Sequence, residues 1–204
     1  MKLQKLLLFL VVFATMSFDL FAPGLSDSER KYASKLLQET KDDLLKKVKG
    51  LTPEQLNFKP DATSWSVAEC VEHIAISENN LWGFAQMSLQ QPADPSKRSE
   101  VKMTDDGIVT MITDRSNKIK TQEAFMPTNK FGSFDATLNE FKTKRDEHIK
   151  YIGNTSEDLR DHYNDFPFGK LDAYQTILFM AAHSRRHTVQ IDEVMKNAGF
   201  PRGN

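Results

Sequence analysis

Apolar residues recur three and four positions apart along four long stretches of the chain, with polar residues between them. This spacing places the apolar residues on one side of an α-helix, which is typical of helices that pack against a core. The first stretch shows it in Leu36, Leu37, Leu44, Leu45 and Val48. The pattern predicts long helices at residues 27–49, 66–89, 134–152 and 170–198.

Capping residues mark where three of the predicted helices begin. Ser26-x-x-Glu29 and Ser66-x-x-Glu69 match the capping box, in which each side chain bonds to the other residue's backbone amide. Ser133 stands just before the third helix and is a good single N-cap. These signals fix the starts of the first three helices.

Three stretches predict where helices stop: KKVKG at 46–50, IKYIG at 149–153 and MKNAGFP at 195–201. Each has a lysine in the last turn, which suits the negative end of the helix dipole, and a glycine just beyond. Glycine adopts the left-handed conformation that ends a helix at little cost. We therefore expect a glycine stop at each of these places.

The connections between the four helices are unequal in length. Residues 50–65 and 90–133 are long and 153–169 intermediate, and the second connection contains a further helix candidate from Thr104 to about Lys118. Long crossovers allow neighbouring helices to run parallel. No stretch alternates long enough to predict a sheet, so the predicted fold is all-α, a four-helix bundle with long crossover connections.

The first 22 residues differ from the rest of the chain. Lys2 and Lys5 precede the apolar run Leu6–Ala14, and the small residues Ser17 and Ala22 follow it. This is the layout of a secretory signal peptide, and the run is shorter than the roughly 20 residues that span a bilayer. We expect residues 1–22 to direct export to the periplasm or the exterior, leaving 23–204 as one domain without a stable membrane span. The alternative is a buried N-terminal helix.

Composition excludes several classes of function. The 27 basic and 28 acidic residues nearly cancel, so no basic surface for nucleic acid is expected. Cys70 is the only cysteine, which rules out an internal disulfide and a cysteine-rich zinc module. We expect Cys70 to be a small buried apolar residue, and histidines and carboxylates remain as candidate metal ligands.

Two of the five histidines, His183 and His187, lie four positions apart in AAHSRRHTVQ. Residues at this spacing share one face of a helix, so both imidazoles can reach one point. Met180 and Val194 continue the same stripe, which indicates that it faces the bundle interior. Taken alone, the pair fits a structural hydrogen-bonded arrangement at least as well as a metal site.

A third histidine changes this balance. His73, in WSVAECVEHIAISE, lies near the start of another predicted helix and can also face inward. Three neutral imidazoles on one ion would leave a coordination position open, as in catalytic zinc sites, whereas structural sites are usually closed by four protein ligands. The candidate metal ligands are therefore His73, His183 and His187.

These segments resemble the DinB-like family of four-helix-bundle proteins. The resemblance is carried by WSVAECVEHI and HSRRHTVQIDEV, about one hundred residues apart, together with Gly169 and Tyr174, and it covers residues 27–198. It implies that His73, His183 and His187 bind one divalent transition metal ion, zinc or nickel. It also implies a metal-dependent hydrolase, or a thiol-dependent S-transferase or isomerase. Those transferases use intracellular thiols, which conflicts with a predicted export signal.

Two polar residues lie one turn from a candidate ligand. Glu69 precedes His73 and could accept a proton, but the capping box with Ser66 explains it more simply. Gln190 follows His187 and could orient a ligand or satisfy a buried backbone group. Both are candidate second-shell residues, and the catalytic residues stay unknown.

The remaining candidates have ordinary interpretations. Arg186 matches the family pattern and is expected to form a buried ion pair between helices, whereas His148 and His162 lie in charged stretches and are expected on the surface. The aromatic-rich loop at 125–134 could cover a pocket mouth or seal an end of the bundle.

The spacing H-S-R-R-H lacks the glutamate of H-E-x-x-H, so ordinary metallopeptidase chemistry is disfavoured. The leading hypothesis is a divalent-metal-dependent hydrolase or thiol S-transferase acting on a small-molecule substrate. The alternative is a noncatalytic bundle that binds a metal or small ligand, with the histidine cluster structural. A homodimer is one option for the quaternary state.

Overall fold

Six α-helices and one short hairpin form the described part of the chain, residues 24–116 and 119–202, in a computed structural model. The helices are α1 (Asp27–Val48), α2 (Pro53–Asn57), α3 (Val67–Leu89), α4 (Asp105–Thr113), α5 (Phe134–Asn154) and α6 (Ala173–Met195). The strands are β1 (Tyr163–Phe166) and β2 (Gly169–Asp172), and 3₁₀ turns lie at Pro95–Glu100 and Glu123–Phe125. The predicted signal peptide, residues 1–22, lies outside the described residues.

The predicted helix starts are confirmed. The Ser26 amide donates to Glu29 Oε2 at 2.8 Å and the Glu29 amide donates to Ser26 Oγ at 3.3 Å, which closes the capping box of α1. Ser66 and Glu69 form the same box at α3. Ser133 caps α5, because its Oγ accepts a hydrogen bond from the Ala136 amide. Local side-chain chemistry therefore decides where these helices begin.

Only one of the three predicted glycine stops is observed. Gly50 has a φ of 75° just after α1. Gly153 lies inside α5, which continues to Asn154, and Gly199 lies four positions beyond the last residue of α6 and lacks a positive φ. Both predictions were wrong, because these helices end at Asn154 and Met195 and the next residues, Thr155 and Lys196, have negative φ.

The four long helices form the bundle, and α1 and α3 both pack against α5 and α6. Tyr174 Oη donates to the Glu29 carbonyl where α6 and α1 begin, and Lys47 pairs with Asp192 near their ends, so these two helices run parallel. The long helices α3 and α5 are also parallel, because the connection across residues 90–133 brings the chain back to the end of the bundle where α3 begins. The predicted crossover topology is confirmed.

A two-stranded hairpin precedes α6. Strands β1 and β2 are antiparallel, with Tyr163 opposite Asp172 and Phe166 opposite Gly169. We predicted no sheet and a helix from residue 170, and both were wrong, because strands of four residues are too short for alternation to stand out. Asp172 instead caps α6 by accepting from the Gln175 amide at 2.7 Å.

Helix α4 confirms the helix predicted in the crossover but is shorter. It is capped by Thr104 and ends at Thr113, and Lys118 lies outside the described residues. Ile108 and Ile112 are buried against α6, whereas Met111 and Ile119 are exposed. No helix among the described residues is long and apolar enough to span a membrane.

A charged network lies inside the bundle core. Arg145 of α5 is fully buried, and its Nε and Nη2 donate to the two carboxylate oxygens of Glu78 on α3 at 2.7 and 2.6 Å. It also donates to Thr40 on α1 and Ser184 on α6. Burial would raise the pKa of Glu78, but Arg145 and the hydrogen bonds outweigh burial and lower it.

One of the two histidines predicted on the surface is buried. His148 is 2% exposed, bonds to Glu78 Oε1 through Nδ1 at 2.7 Å and stacks on Trp82 with ring centroids 4.0 Å apart. That prediction was wrong, because Glu78 and Trp82 are distant from His148 in sequence. His162 is half-buried, and its Nδ1 lies 3.1 Å from the Ser88 carbonyl oxygen.

Candidate metal centre

The antiparallel packing of α3 and α6 brings His73, His183 and His187 together. His73 lies two turns into α3, and the other two lie one above the other near the middle of α6. The Nε2 atom of His73 is 3.3 Å from that of His183 and 3.1 Å from that of His187, and the last two are 3.2 Å apart. The structure therefore brings all three sequence-predicted residues to one point.

This spacing fits a single transition metal ion. Ligand nitrogens about 2.0–2.1 Å from one tetrahedral ion lie about 3.3–3.4 Å from each other. The three observed separations of 3.1–3.3 Å are close to that value, and each histidine offers the nitrogen facing the others. No carboxylate belongs to the cluster within the described residues, so the donor set is three imidazoles, which suits zinc or nickel.

Hydrogen bonds on the outer side fix two of the three rings. His73 Nδ1 lies 2.7 Å from the Phe125 carbonyl oxygen, and His187 Nδ1 lies 2.8 Å from Gln190 Oε1. Both partners are acceptors, so each Nδ1 carries the hydrogen. The Nε2 of each ring therefore presents a lone pair to the centre, as a metal ligand does.

This arrangement points to a cation. The Nε2 atoms of His73 and His187 are 3.1 Å apart, and neither carries a hydrogen that could lie between them. Two lone pairs at that distance repel each other in a buried site of low dielectric. A positive ion at the centre turns the same geometry into an attractive one.

The three imidazoles are neutral near pH 7. Burial lowers the pKa of His73, and it lowers those of His183 and His187 further with help from the neighbouring rings. The neutral ring is the form that binds a metal. The environment thus maintains the ligating form of all three.

We expect the metal-free protein to lose stability as the pH falls. A histidine whose pKa is lowered by folding contributes stability above its unfolded pKa of about 6.5, and that contribution is lost as the pH falls. Urea unfolding at pH 7.5 and 5.0 measures the change. Burial raises the pKa of Asp172 to about 6, which acts in the opposite direction.

The control is the triple variant His73→Asn, His183→Asn, His187→Asn, which retains Asp172. Subtracting its pH dependence from that of the wild type isolates the three imidazoles. The wild type should lose more unfolding free energy between pH 7.5 and 5.0 than the variant. Equal losses would contradict the assignment of the three rings as neutral.

Aromatic side chains surround the centre. The Trp65 ring centroid is 4.8 Å from that of His73 and 6.1 Å from that of His187, while Phe179 lies 6.0 Å from His183. Phe125 lies in the 3₁₀ turn Glu123–Phe125, and its own carbonyl oxygen bonds to His73. This part of the aromatic loop at 125–134 therefore contacts the site.

The other sequence candidates take simpler roles. Glu69 closes the helix cap and pairs with Lys59 at 2.6 Å, so the capping interpretation is confirmed over that of a base. Cys70 is fully buried, and burial raises the pKa of its thiol to about 12, which excludes a thiolate at neutral pH. Gln190 Oε1 lies 2.8 Å from His187 Nδ1, and its role in orienting a bound ligand stays a prediction.

Arg115 was missed by the sequence analysis. Its Nη1 donates to Gln190 Oε1 at 3.2 Å, although the two residues are 75 positions apart. Arg115 follows α4, in a segment that the sequence predicted as the end of that helix. Only the packing of α4 on α6 brings it near the site.

The fold and this site define a class of protein: a four-helix bundle with three histidines from two antiparallel helices at one point. The model of the DinB superfamily matches residues 36–191, so the chain belongs to the DinB superfamily. The resemblance of the sequence motifs is thereby confirmed.

Two Bacillus subtilis proteins match this chain over most of its length and most of their own. The chain is 26% identical over 160 residues to the uncharacterized protein YuaE of Bacillus subtilis (strain 168), covering 78% of this chain and 94% of YuaE. The solved structure of Bacillus subtilis YfiT superposes with a TM-score of 0.58 at 15% identity, covering 87% of this chain and 92% of YfiT. YfiT is described as a probable metal-dependent hydrolase with an unusual four-helix bundle topology. At this identity the likeness to YfiT shows the fold alone.

Proposed function

We propose that the protein is a divalent-metal-dependent enzyme of hydrolase or thiol S-transferase type, with His73, His183 and His187 holding one zinc or nickel ion. The observation that carries this proposal is the set of three Nε2 atoms 3.1–3.3 Å apart. The description of YfiT as a probable metal-dependent hydrolase supports it.

The chemistry follows from what the site contains and lacks. A divalent ion would supply Lewis acidity, which favours the deprotonated form of a water or thiol. The outer nitrogens of His73 and His187 are engaged with Phe125 and Gln190, so these rings hold position and leave proton transfer to other groups. Glu69 is engaged in the helix cap.

A reaction that needs no strong general base fits such a site. Hydrolysis of an activated small molecule and transfer to a thiol are of this kind, because an ion held by the three imidazoles would lower the pKa of a water or thiol nucleophile. Trp65 and Phe179 provide apolar surface beside the imidazoles. We propose a small-molecule substrate on that basis.

Metal loading followed by substrate screening tests the proposal. Protein freed of metal by a chelator is titrated with Zn²⁺ and Ni²⁺, then assayed with esters, lactones, phosphoesters and electrophiles plus a thiol. We expect one equivalent of ion per chain and turnover only after loading. Uptake below a tenth of an equivalent would contradict the metal site, and one tightly bound ion without turnover would favour the noncatalytic alternative.

We also propose that residues 1–22 direct export. The core begins soon after them, since Leu25 is buried against the bundle. Edman sequencing of protein expressed with its full N-terminus tests this. A mature chain starting near residue 23 in the exported fraction is expected, and a protein that keeps Met1 would contradict the proposal.

A further inference from the structure

The segment that follows α4 is fixed against α6 close to the metal centre. Arg186 of α6 donates to the carbonyl oxygens of Ile112, at 3.4 Å, and Asp114. A guanidinium at the carboxyl end of a helix satisfies orphan carbonyls and interacts favourably with the helix dipole. These two bonds go to the main chain, and the ion pair predicted for Arg186 stays a prediction. They place the next residue, Arg115, beside α6.

Arg115 contacts two residues of α6. Its Nε and Nη2 donate to the two carboxylate oxygens of Glu193 at 2.8 and 2.7 Å, and its Nη1 donates to Gln190 Oε1 at 3.2 Å. The side chain of Arg115 is 15% exposed and that of Glu193 is 53% exposed, so the guanidinium is shielded from solvent while its carboxylate partner is not. A forked pair of this kind holds the guanidinium in one orientation.

The guanidinium selects which end of the Gln190 amide faces inward. A carboxamide has an accepting and a donating end that are nearly equal in shape, and its orientation follows from its partners. Arg115 offers only donors, so the oxygen must face it. The same Oε1 lies 2.8 Å from His187 Nδ1, and that nitrogen must then carry the hydrogen.

The hydrogen-bond partners of His73 Nδ1 and His187 Nδ1 differ in whether they fix the tautomer of the ring by themselves. His73 bonds to a main-chain carbonyl, which can only accept, so its tautomer is fixed without help. His187 bonds to an amide that could rotate and offer its NH₂ instead. In that orientation Nδ1 would accept and Nε2 would carry the hydrogen, so the ring could not bind an ion at the centre.

We propose that Arg115 is a positioning residue that orients Gln190 and thereby keeps His187 in the tautomer whose Nε2 faces the ion. This inference rests on the proposed function, because it assigns Arg115 a role in the metal site. Arg115 acts through Gln190 and touches neither ligand nitrogen.

The tautomer of His187 is tested first, without metal. Long-range ¹H–¹⁵N NMR of the metal-free protein at pH 8 distinguishes Nδ1–H from Nε2–H imidazoles. We expect His187 to be an Nδ1–H ring in the wild type and a mixture in Arg115→Met. The matched control is Arg98→Met, which removes a half-exposed arginine that pairs with Asp161 away from the site. A His187 ring unchanged in Arg115→Met would overturn the inference.

Metal affinity is measured next, by competition of Zn²⁺ with a chelator. Loss of an outer-sphere partner typically weakens metal binding by about 10–100-fold, and we expect about tenfold for Arg115→Met. The double variant Arg115→Met, Gln190→Glu should bind within about threefold of the single variant Gln190→Glu, because a carboxylate accepts through either oxygen and needs no orienting donor. A further tenfold loss in the double variant would show that Arg115 acts in another way and overturn the inference.

The two proposals fail separately. A wild-type protein that takes up no ion contradicts the proposed metal site, whatever the NMR result. A wild type that binds metal while Arg115→Met changes neither the tautomer nor the affinity contradicts the positioning role alone. Circular dichroism of each variant verifies that the helices are retained.

Discussion

Replacing His187 by alanine is expected to weaken Zn²⁺ binding by more than about 100-fold, beyond the 10–100-fold typical of losing a residue that only orients a ligand. The reason is geometric. His187 lies 3.1 and 3.2 Å from the other two ligand nitrogens, and its removal leaves two imidazoles for the ion. Chelator competition at pH 7.5 measures the affinity.

Thermal unfolding gives an independent measure of the same loss. An ion that binds only the folded protein stabilises it by about 2.7 kcal/mol when present at 100 times its Kd. The wild type should therefore show a higher Tm in Zn²⁺, whereas His187→Ala should show almost none of that increase. His183→Ala should behave in the same way.

His162→Ala is the matched control, since His162 is half-buried and bonded to the Ser88 carbonyl away from the cluster. It should bind Zn²⁺ as the wild type does. Affinity of His187→Ala within tenfold of the wild type, or equal losses in His162→Ala, would contradict the assigned ligand set.

Replacing Arg145 by methionine is expected to destabilise the fold by about 3–5 kcal/mol, the usual effect of removing one partner of a buried ion pair. Arg145 and Glu78 are both fully buried and joined by two charge-assisted bonds. Without the guanidinium, the Glu78 carboxylate stays in the core without its main counter-charge. Urea unfolding at pH 7 measures the loss.

Two further variants identify the cause. Arg145→Met combined with Glu78→Gln removes both charges, so it should recover part of the loss. Lys144→Met breaks the exposed pair with Glu147 on the same helix and should leave the unfolding free energy nearly unchanged. A double variant no more stable than Arg145→Met would show that packing, rather than the stranded charge, explains the effect.

The sequence was sufficient for features set by local chemistry or repeated spacing. Four amphipathic stretches and two capping boxes predicted the long helices and most of their starts. The i, i+4 spacing of His183 and His187 placed both rings on one face, and the stripe containing Met180 indicated which way that face points. His73 joined them only through the resemblance and the expectation that two bundle helices pack together.

Features that depend on distant partners were missed. His148 lies in a charged stretch that looks solvated, and its burial is decided by Glu78, which is 70 positions away. Arg115 is in a loop, and its role exists only because Arg186 holds the end of α4 against α6. Gly153 resembled a helix stop, but the i to i+4 hydrogen bonds simply continue through it to Asn154. For His148 and Arg115, tertiary packing decided an outcome that local sequence left open.

X-ray absorption spectroscopy of the Zn²⁺-loaded protein tests the central claim most directly. The account predicts three imidazole nitrogens at about 2.0–2.1 Å and one further ligand, such as water, that a thiol or other small molecule can replace. A shell with fewer than three imidazoles, or one closed by a fourth protein ligand that no small molecule displaces, would contradict it.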